Sequence, residues 1–308
     1  MVMVTEETER IGWAMREAVE SQFTTDHLRQ EALSYLAVKT SGRLSFGELT
    51  ILHYRMFGGT SPGIYKAAAA VELLILALDI FDDLQDQDQK QMPWCINPPA
   101  LAMNVAIGLT ALSHDRLYQV EDVSAERKLG LWTCMNDLLL KAVNGQHTDL
   151  ANEIHSEEDY LRMIAGKSGS LTTLACLIGT CLATDKDDHT VRLYAKQIGV
   201  IQQIRNDIRD ICRWDDKNDF LHKKRTLLLL FLLESDQPEF EVFRDYMEGR
   251  VDKSYVEERR EQIMALIESS GAIEYAEAMC AMLRMEAEDE VRQLELTDDY
   301  MEQLLVYF

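Results

Sequence analysis

The chain has 308 residues, 47% hydrophobic and 27% charged, with only 15 Gly and 5 Pro, which excludes collagen-like and low-complexity polymers and speaks against a loop-rich all-β protein. Its 31 Lys+Arg against 53 Asp+Glu give a formal charge of −22; nucleic acid is excluded as a partner class, because that binding depends on neutralising phosphates with cations. An anionic small substrate is admitted only where metal ions or local lysines override the global field.

In chain order, the opening MVMVTEETER is acidic and polar, unlike a secretory signal or a transit peptide. Helical periodicity then dominates, in stretches near 64–90, 99–121, 125–153, 157–183 and 188–213. Ser61 before Pro62, Asn97 before Pro98, and Ser156 before three acidic residues mark helix starts, and Gly271 marks a stop. No window alternates with period two, so no strands are expected. The longest apolar run, 227–233, falls far short of the ~20 residues a bilayer span requires. No linker or shift in composition divides the chain, which reads as one all-α domain over residues 1–308. Six cysteines without a CxxC pair read as small core residues in a reduced, cytoplasmic compartment. Loose contact with a membrane surface stays open.

Two of these helices, around 70–83 and 198–212, are apolar around nearly their whole circumference and end in acid. A helix of that kind belongs at the centre of a bundle, where carboxylates are costly without counter-charge. The first ends in Asp82, Asp83, Asp86 and Asp88, with Glu72 upstream; the second carries Gln203, Asn206, Asp207 and Asp210. Asp82 and Asp86 stand one helical turn apart, and crowded carboxylates favour protonation or a hard cation such as Mg²⁺, which bridges to phosphate oxygens. A solvated acidic helix end is the alternative for either cluster alone. Two clusters facing each other across a bundle cavity suit a polyanion bridged by Mg²⁺.

From about residue 41 onward the chain resembles the trans-isoprenyl diphosphate synthases, whose motifs occur here in the family's order. DDLQD at 82–86 resembles the first aspartate-rich motif, and GQHTD at 145–149 the GQxxD helix. GKSG at 166–169 is similar to the segment whose lysine grips an allylic diphosphate. QIRNDIRD at 203–210 resembles the second aspartate-rich motif, with Asn206 where the family has Asp, and KRT at 224–226 resembles a second lysine segment. The resemblance implies a single large bundle of the isoprenoid synthase type with a central active-site cavity. It also implies Mg²⁺ held by Asp82, Asp83 and Asp86 on one wall and by Asn206, Asp207 and Asp210 on the other. The five aspartates are the implied catalytic set. Lys167 and Lys224 would touch the diphosphate, while Gln146, Asp149, Gln203 and Arg43 would line the substrate site. A homodimer is a further expectation from the family.

The departures bear on the acceptor. Members that add isopentenyl diphosphate carry a basic motif upstream; at 42–47 only Arg43 remains of it, with Leu44 and Phe46 at the other two basic positions. The arginine pair expected after the first motif is replaced by Gln89, Lys90, Gln91 and Met92, and upstream histidines by Ile75 and Phe81. The donor half is intact and the second-diphosphate half is dismantled. Four readings stay open: transfer to another acceptor, ordinary polyprenyl diphosphate synthesis, terpene cyclisation, or a non-catalytic partner subunit. The pairing of DDLQDQD with NDIRD is closest to the ComQ-type prenyltransferases. That resemblance implies a geranyl or farnesyl diphosphate donor and a tryptophan of a small pheromone precursor peptide in quorum sensing and competence. Ala77 and Leu78 are expected to face the floor below the first acidic cluster.

Overall fold

A computed structural model describes residues 6–86, 89–184, 186–215 and 218–308. Two helices organise it: the one over 64–86 is buried along most of its length, whereas the one over 189–211, expected to be apolar on nearly all sides, keeps a polar face with exposed Lys196 and Arg209 beside its buried apolar one. The first helices are α1 Glu6–Gln22, α2 Asp26–Thr40, α3 Ser45–Met56, α4 Ile64–Asp86 and α5 Pro93–Ile96. Then come α6 Pro99–Tyr118, α7 Ala125–Ala151, α8 Glu157–Ile164, α9 Ser170–Thr184 and α10 His189–Ile211. The remainder are α11 Leu227–Glu234, α12 Glu241–Met247, α13 Lys253–Glu258, α14 Arg260–Ser269, α15 Ala272–Arg292 and α16 Asp298–Leu305. Among the described residues there is no strand, and no helix is long and apolar enough to cross a membrane.

Two of the four expected helix marks hold; α4 begins only at Ile64, three residues past Ser61, and Asn97 closes α5, leaving Pro98 to precede α6. Ser156 caps α8 by accepting the Asp159 N–H at 3.1 Å. Gly271, at φ +85°, breaks the chain between α14 and α15. The first acidic stretch ends earlier than the periodicity suggests, since α4 stops at Asp86; Gln87 and Asp88 lie outside the described residues. The stretch at 157–183 is interrupted by a π-helical turn over Ala165–Gly169, a feature that periodicity alone does not announce.

α4 packs on α6, α3 and α1, and α10 on α15 and α9, so both helices are central. The residues 67–77 of α4 are all buried, Glu72 included. That carboxylate is matched by the Gly47 N–H at 2.7 Å and by Lys39 Nζ at 3.7 Å, as a buried charge requires. α3 is tied to α10 through His53: its Nδ1–H donates to Leu49 O at 2.7 Å, and its Nε2 accepts from Tyr194 Oη at 2.7 Å. The ring is fully buried, and burial depresses the His53 pKa to about 4.

Candidate active site

The C-terminal ends of α4 and α10 bring their acids to one mouth. A cavity of about 210 Å³ there is lined by Asp82, Asp83 and Asp86 from α4, Asp149 from α7, Asp207 and Asp210 from α10, and Asp219. Lys167, Lys224 and Arg225 are the basic residues lining it among the described residues. Below it opens a larger cavity of about 740 Å³, which shares Asp82, Lys167, Gln203 and Asn206 with the mouth.

Each lysine stands against a wall of acid. Lys167 Nζ donates to Asp149 Oδ2 at 2.8 Å and to Asp82 Oδ1 at 3.2 Å. Burial works against its charge, but Asp82 and Asp149 outweigh burial and raise its pKa. Lys224 pairs with Asp86 and is raised likewise, against the effect of burial. The π-helical turn carries Lys167 into the cavity, and α7 approaches that turn very closely. A Cβ on Gly145 would lie 2.3 Å from the Lys167 backbone nitrogen, so only glycine fits there.

The α10 wall is buried and acidic. Asp207 accepts from Tyr160 Oη at 2.6 Å and from Gln203 Nε2 at 2.9 Å. Burial still pushes its pKa up to about 6, with Asp149 and Asp210 adding to the rise. Asp219 is buried with its Oδ2 unpartnered; burial, then Asp207, raises it well above the ordinary carboxylate range. Asp219 stands a few residues before the KRT segment and carried no site role in the sequence. Its proximity to the second motif's aspartates comes from the turn after α10.

On the α4 wall Gln146 Nε2 donates to Asp82 Oδ1 at 2.8 Å, and the indole N–H of Trp94 donates to Asp83 Oδ2 at 2.7 Å. Trp94 sits on α5, in the stretch where an arginine pair was missing from the sequence, and gave no signal beyond its residue type. Asn206 Oδ1 accepts from Arg209, so that arginine is engaged by the amide oxygen. Among the described residues no three His, Cys, Asp or Glu side chains form a ready-made ion cage; lysines stand among the carboxylates. The donors are nonetheless oxygens in excess over cations, and one buried carboxylate oxygen has no partner. That set fits a hard divalent cation.

The larger cavity has a different character. Ile75, Leu78, Phe81, Ala142, Leu171 and Ile198 contribute apolar walls, whereas Ala77 is fully buried elsewhere in the core and does not face it. Leu44 is buried in the core and Phe46 lines the far end. Arg43 lines it too, but its Nε donates to Glu48 Oε2 at 2.6 Å and its Nη2 to Tyr307 Oη at 2.9 Å. Tyr307 lies 264 positions away in sequence, which is why the sequence did not reveal it.

Comparison with known proteins agrees with this geometry. The sequence model of the family described as polyprenyl synthetase matches residues 27–267. A protein of Bacillus spizizenii named tryptophan prenyltransferase ComQ is 34% identical over 71% of this chain and 76% of its own. Its namesake from Bacillus subtilis subsp. natto is 31% identical over 96% and 91%. Among solved structures, geranylgeranyl pyrophosphate synthetase from Pyrococcus horikoshii superposes with a TM-score of 0.84 at 20% identity, covering 99% of this chain and 95% of that one. Polyprenyl synthase from Caulobacter crescentus, solved with calcium and isoprenyl diphosphate, gives 0.84 at 20% identity over 99% and 93%.

Proposed function

The chain belongs to the polyprenyl synthetase family and is a prenyltransferase, and from that premise we propose that it moves a geranyl or farnesyl group from its diphosphate to a tryptophan of a small precursor peptide. The carrying observation is the far end of the large cavity, where Leu44 is core and Phe46 is wall in place of cations. A second diphosphate depends on charge-assisted contacts, and an indole does not. The two Bacillus proteins named tryptophan prenyltransferase support the same acceptor, and with it a role in maturing a quorum-sensing pheromone linked to competence. Six cysteines held as thiols suit a reducing cytoplasm.

Asp82, Asp83 and Asp86, with Asp207, Asp210 and the Asn206 amide oxygen, are the residues we assign to Mg²⁺; bound there, the ion would neutralise the departing diphosphate. Asp219 belongs to the same wall. Lys167 and Lys224 hold the diphosphate and stabilise charge as it develops on the leaving oxygens. The apolar walls at Ile75, Leu78 and Phe81 hold the chain and keep water from the allylic cation. The carbon–oxygen bond to diphosphate breaks, a carbon of the indole supplies the electron pair for the new bond, and the ring proton leaves to the diphosphate. Gln146 and Gln203 orient Asp82 and Asp207. A second copy of the chain suits the exposed apolar side chains Ile107, Leu129, Trp132 and Leu140 on α6 and α7.

The test is product analysis by mass, with Mg²⁺, farnesyl or geranyl diphosphate, and either isopentenyl diphosphate or a Trp-containing peptide. Prenyl mass on the tryptophan is expected. Rapid elongation with isopentenyl diphosphate and an unmodified peptide would restore ordinary polyprenyl synthesis. Hydrocarbon released from the donor alone would mean a cyclase.

A further inference from the structure

Among the described residues lining the large cavity, Arg43 and Lys167 carry a fixed positive charge, and Lys167 belongs to the acidic mouth. Lys39, behind the cavity-lining Asp79, is held by that carboxylate at 2.8 Å and by Glu72 at 3.7 Å, and Arg43 is held from two sides. Glu48 Oε2 accepts from its Nε at 2.6 Å, and Tyr307 Oη accepts from its Nη2 at 2.9 Å while donating to Glu48 Oε2 at 3.2 Å. The guanidinium also lies over the Tyr307 ring, 4.7 Å from its centre, a contact that shields the charge further. Tyr307 is itself fixed, because its backbone carbonyl accepts from Gln202 Nε2 on α10 at 2.8 Å and the adjacent Phe308 is buried. Glu48 is fixed as well, its other oxygen accepting from Thr8 Oγ1 at 3.2 Å.

We propose that Tyr307 and Glu48 form a specificity lock that withholds Arg43 from a second diphosphate and leaves an aromatic wall for the acceptor. Deepening the peptide-acceptor reading and resting on it, the lock names the acceptor class that this end admits: an uncharged aromatic side chain, seated between Phe46, Val306 and the Tyr307 ring. A diphosphate at the same place would have to share Arg43 with the Glu48 carboxylate, whose charge already offsets the guanidinium and repels a second anion, which is discrimination by electrostatic competition rather than by a clash.

The experiment uses the whole protein with a farnesyl thiodiphosphate analogue in the donor site, titrated calorimetrically with isopentenyl diphosphate. Wild type should bind weakly. A Glu48→Gln/Tyr307→Phe double variant should bind at least tenfold tighter, and the gain should vanish when Arg43→Gln is added. Unchanged affinity in the double variant, or a gain that survives loss of Arg43, would overturn the lock. Should the double variant unfold, each single variant is read in the same way for at least a threefold gain. In parallel, Tyr307→Ala, which removes the ring, should raise KM for a Trp peptide with the KM for the allylic diphosphate unmoved; equal changes in both would reduce Tyr307 to a structural role. If wild type modifies no peptide, the peptide reading fails, while the isopentenyl diphosphate titration still judges the lock.

Discussion

The two ends of the substrate space treat charge in opposite ways. At the mouth, seven aspartates face two lysines and an arginine among the described residues, and burial drives Asp207 and Asp219 toward protonation. At the far end, Arg43 is paired with Glu48, and the surroundings are Phe46, Leu49 and Val306. The mouth holds unspent negative charge and so has work for a cation to do. The far end has its charge balanced internally, leaving shape and apolar contact as its means of recognition. One helical scaffold thus separates leaving-group chemistry from acceptor choice.

The sharpest break of this contrast is to remove charge from the mouth. Asp82→Ala or Asp207→Ala should keep the helical circular dichroism of the parent and lower turnover by about 10²–10³-fold, the scale of losing a preorganised electrostatic contact. Excess chelator should do the same to the parent protein; full activity in chelator would remove the cation from the account.

The far end should answer to pH through stability rather than chemistry. His53 secures α3, the helix that supplies Phe46 and Leu49, to Tyr194 of α10. Unfolded, it takes up a proton near pH 6.5; folded, only near pH 4. Its stabilising effect is whole above about pH 6.5 and is lost as the pH falls toward 4, about 3 kcal/mol in all. Between pH 7 and pH 4.5 the buried Asp207 and Asp219 act with the opposite sign, gaining stability as they protonate, so the readout is the comparison with a His53→Gln variant in urea melts. On acidification the parent should lose more stability, or gain less, than His53→Gln by most of that amount, and an identical pH dependence in the two proteins would show that His53 contributes none of it.

A smaller effect distinguishes the lysines from the aspartates they touch. Lys167→Ala and Lys224→Ala should each raise the KM for the allylic diphosphate about 10- to 100-fold, since a charge-assisted hydrogen bond contributes about 1.5–3 kcal/mol. Turnover at saturation should fall less than in the aspartate variants. If donor KM is unmoved in both, the lysines merely neutralise the wall.

Much of the mouth was legible in the sequence because its residues sit at fixed helical spacing. Asp82, Asp83 and Asp86 share one turn of α4 and Asp207 and Asp210 one turn of α10; the apolar circumference upstream requires α4 to be central, whereas α10 is central with one face only. Lys167 was legible only through the resemblance of GKSG at 166–169 to the family's lysine segment. The π-helical turn that aims it was not, because a one-residue widening leaves no periodic trace over five residues. Asp219 and Trp94 also escaped, since their partners are set by turns whose course local propensity does not specify.

The amino-acid sequence by itself determined the all-α class, the two central helices and the acids at their ends, because helical periodicity and the cost of burying charge are local properties that a single segment expresses. Only the tertiary structure decided the far end. Arg43 stands alone in the sequence as the remnant of a basic motif, and its availability as an acceptor contact depends on Tyr307, 264 positions away. Such a pairing arises when α16 packs on α3. Contacts of that separation are selected by the packing of the whole bundle, not by the residues on either side of them.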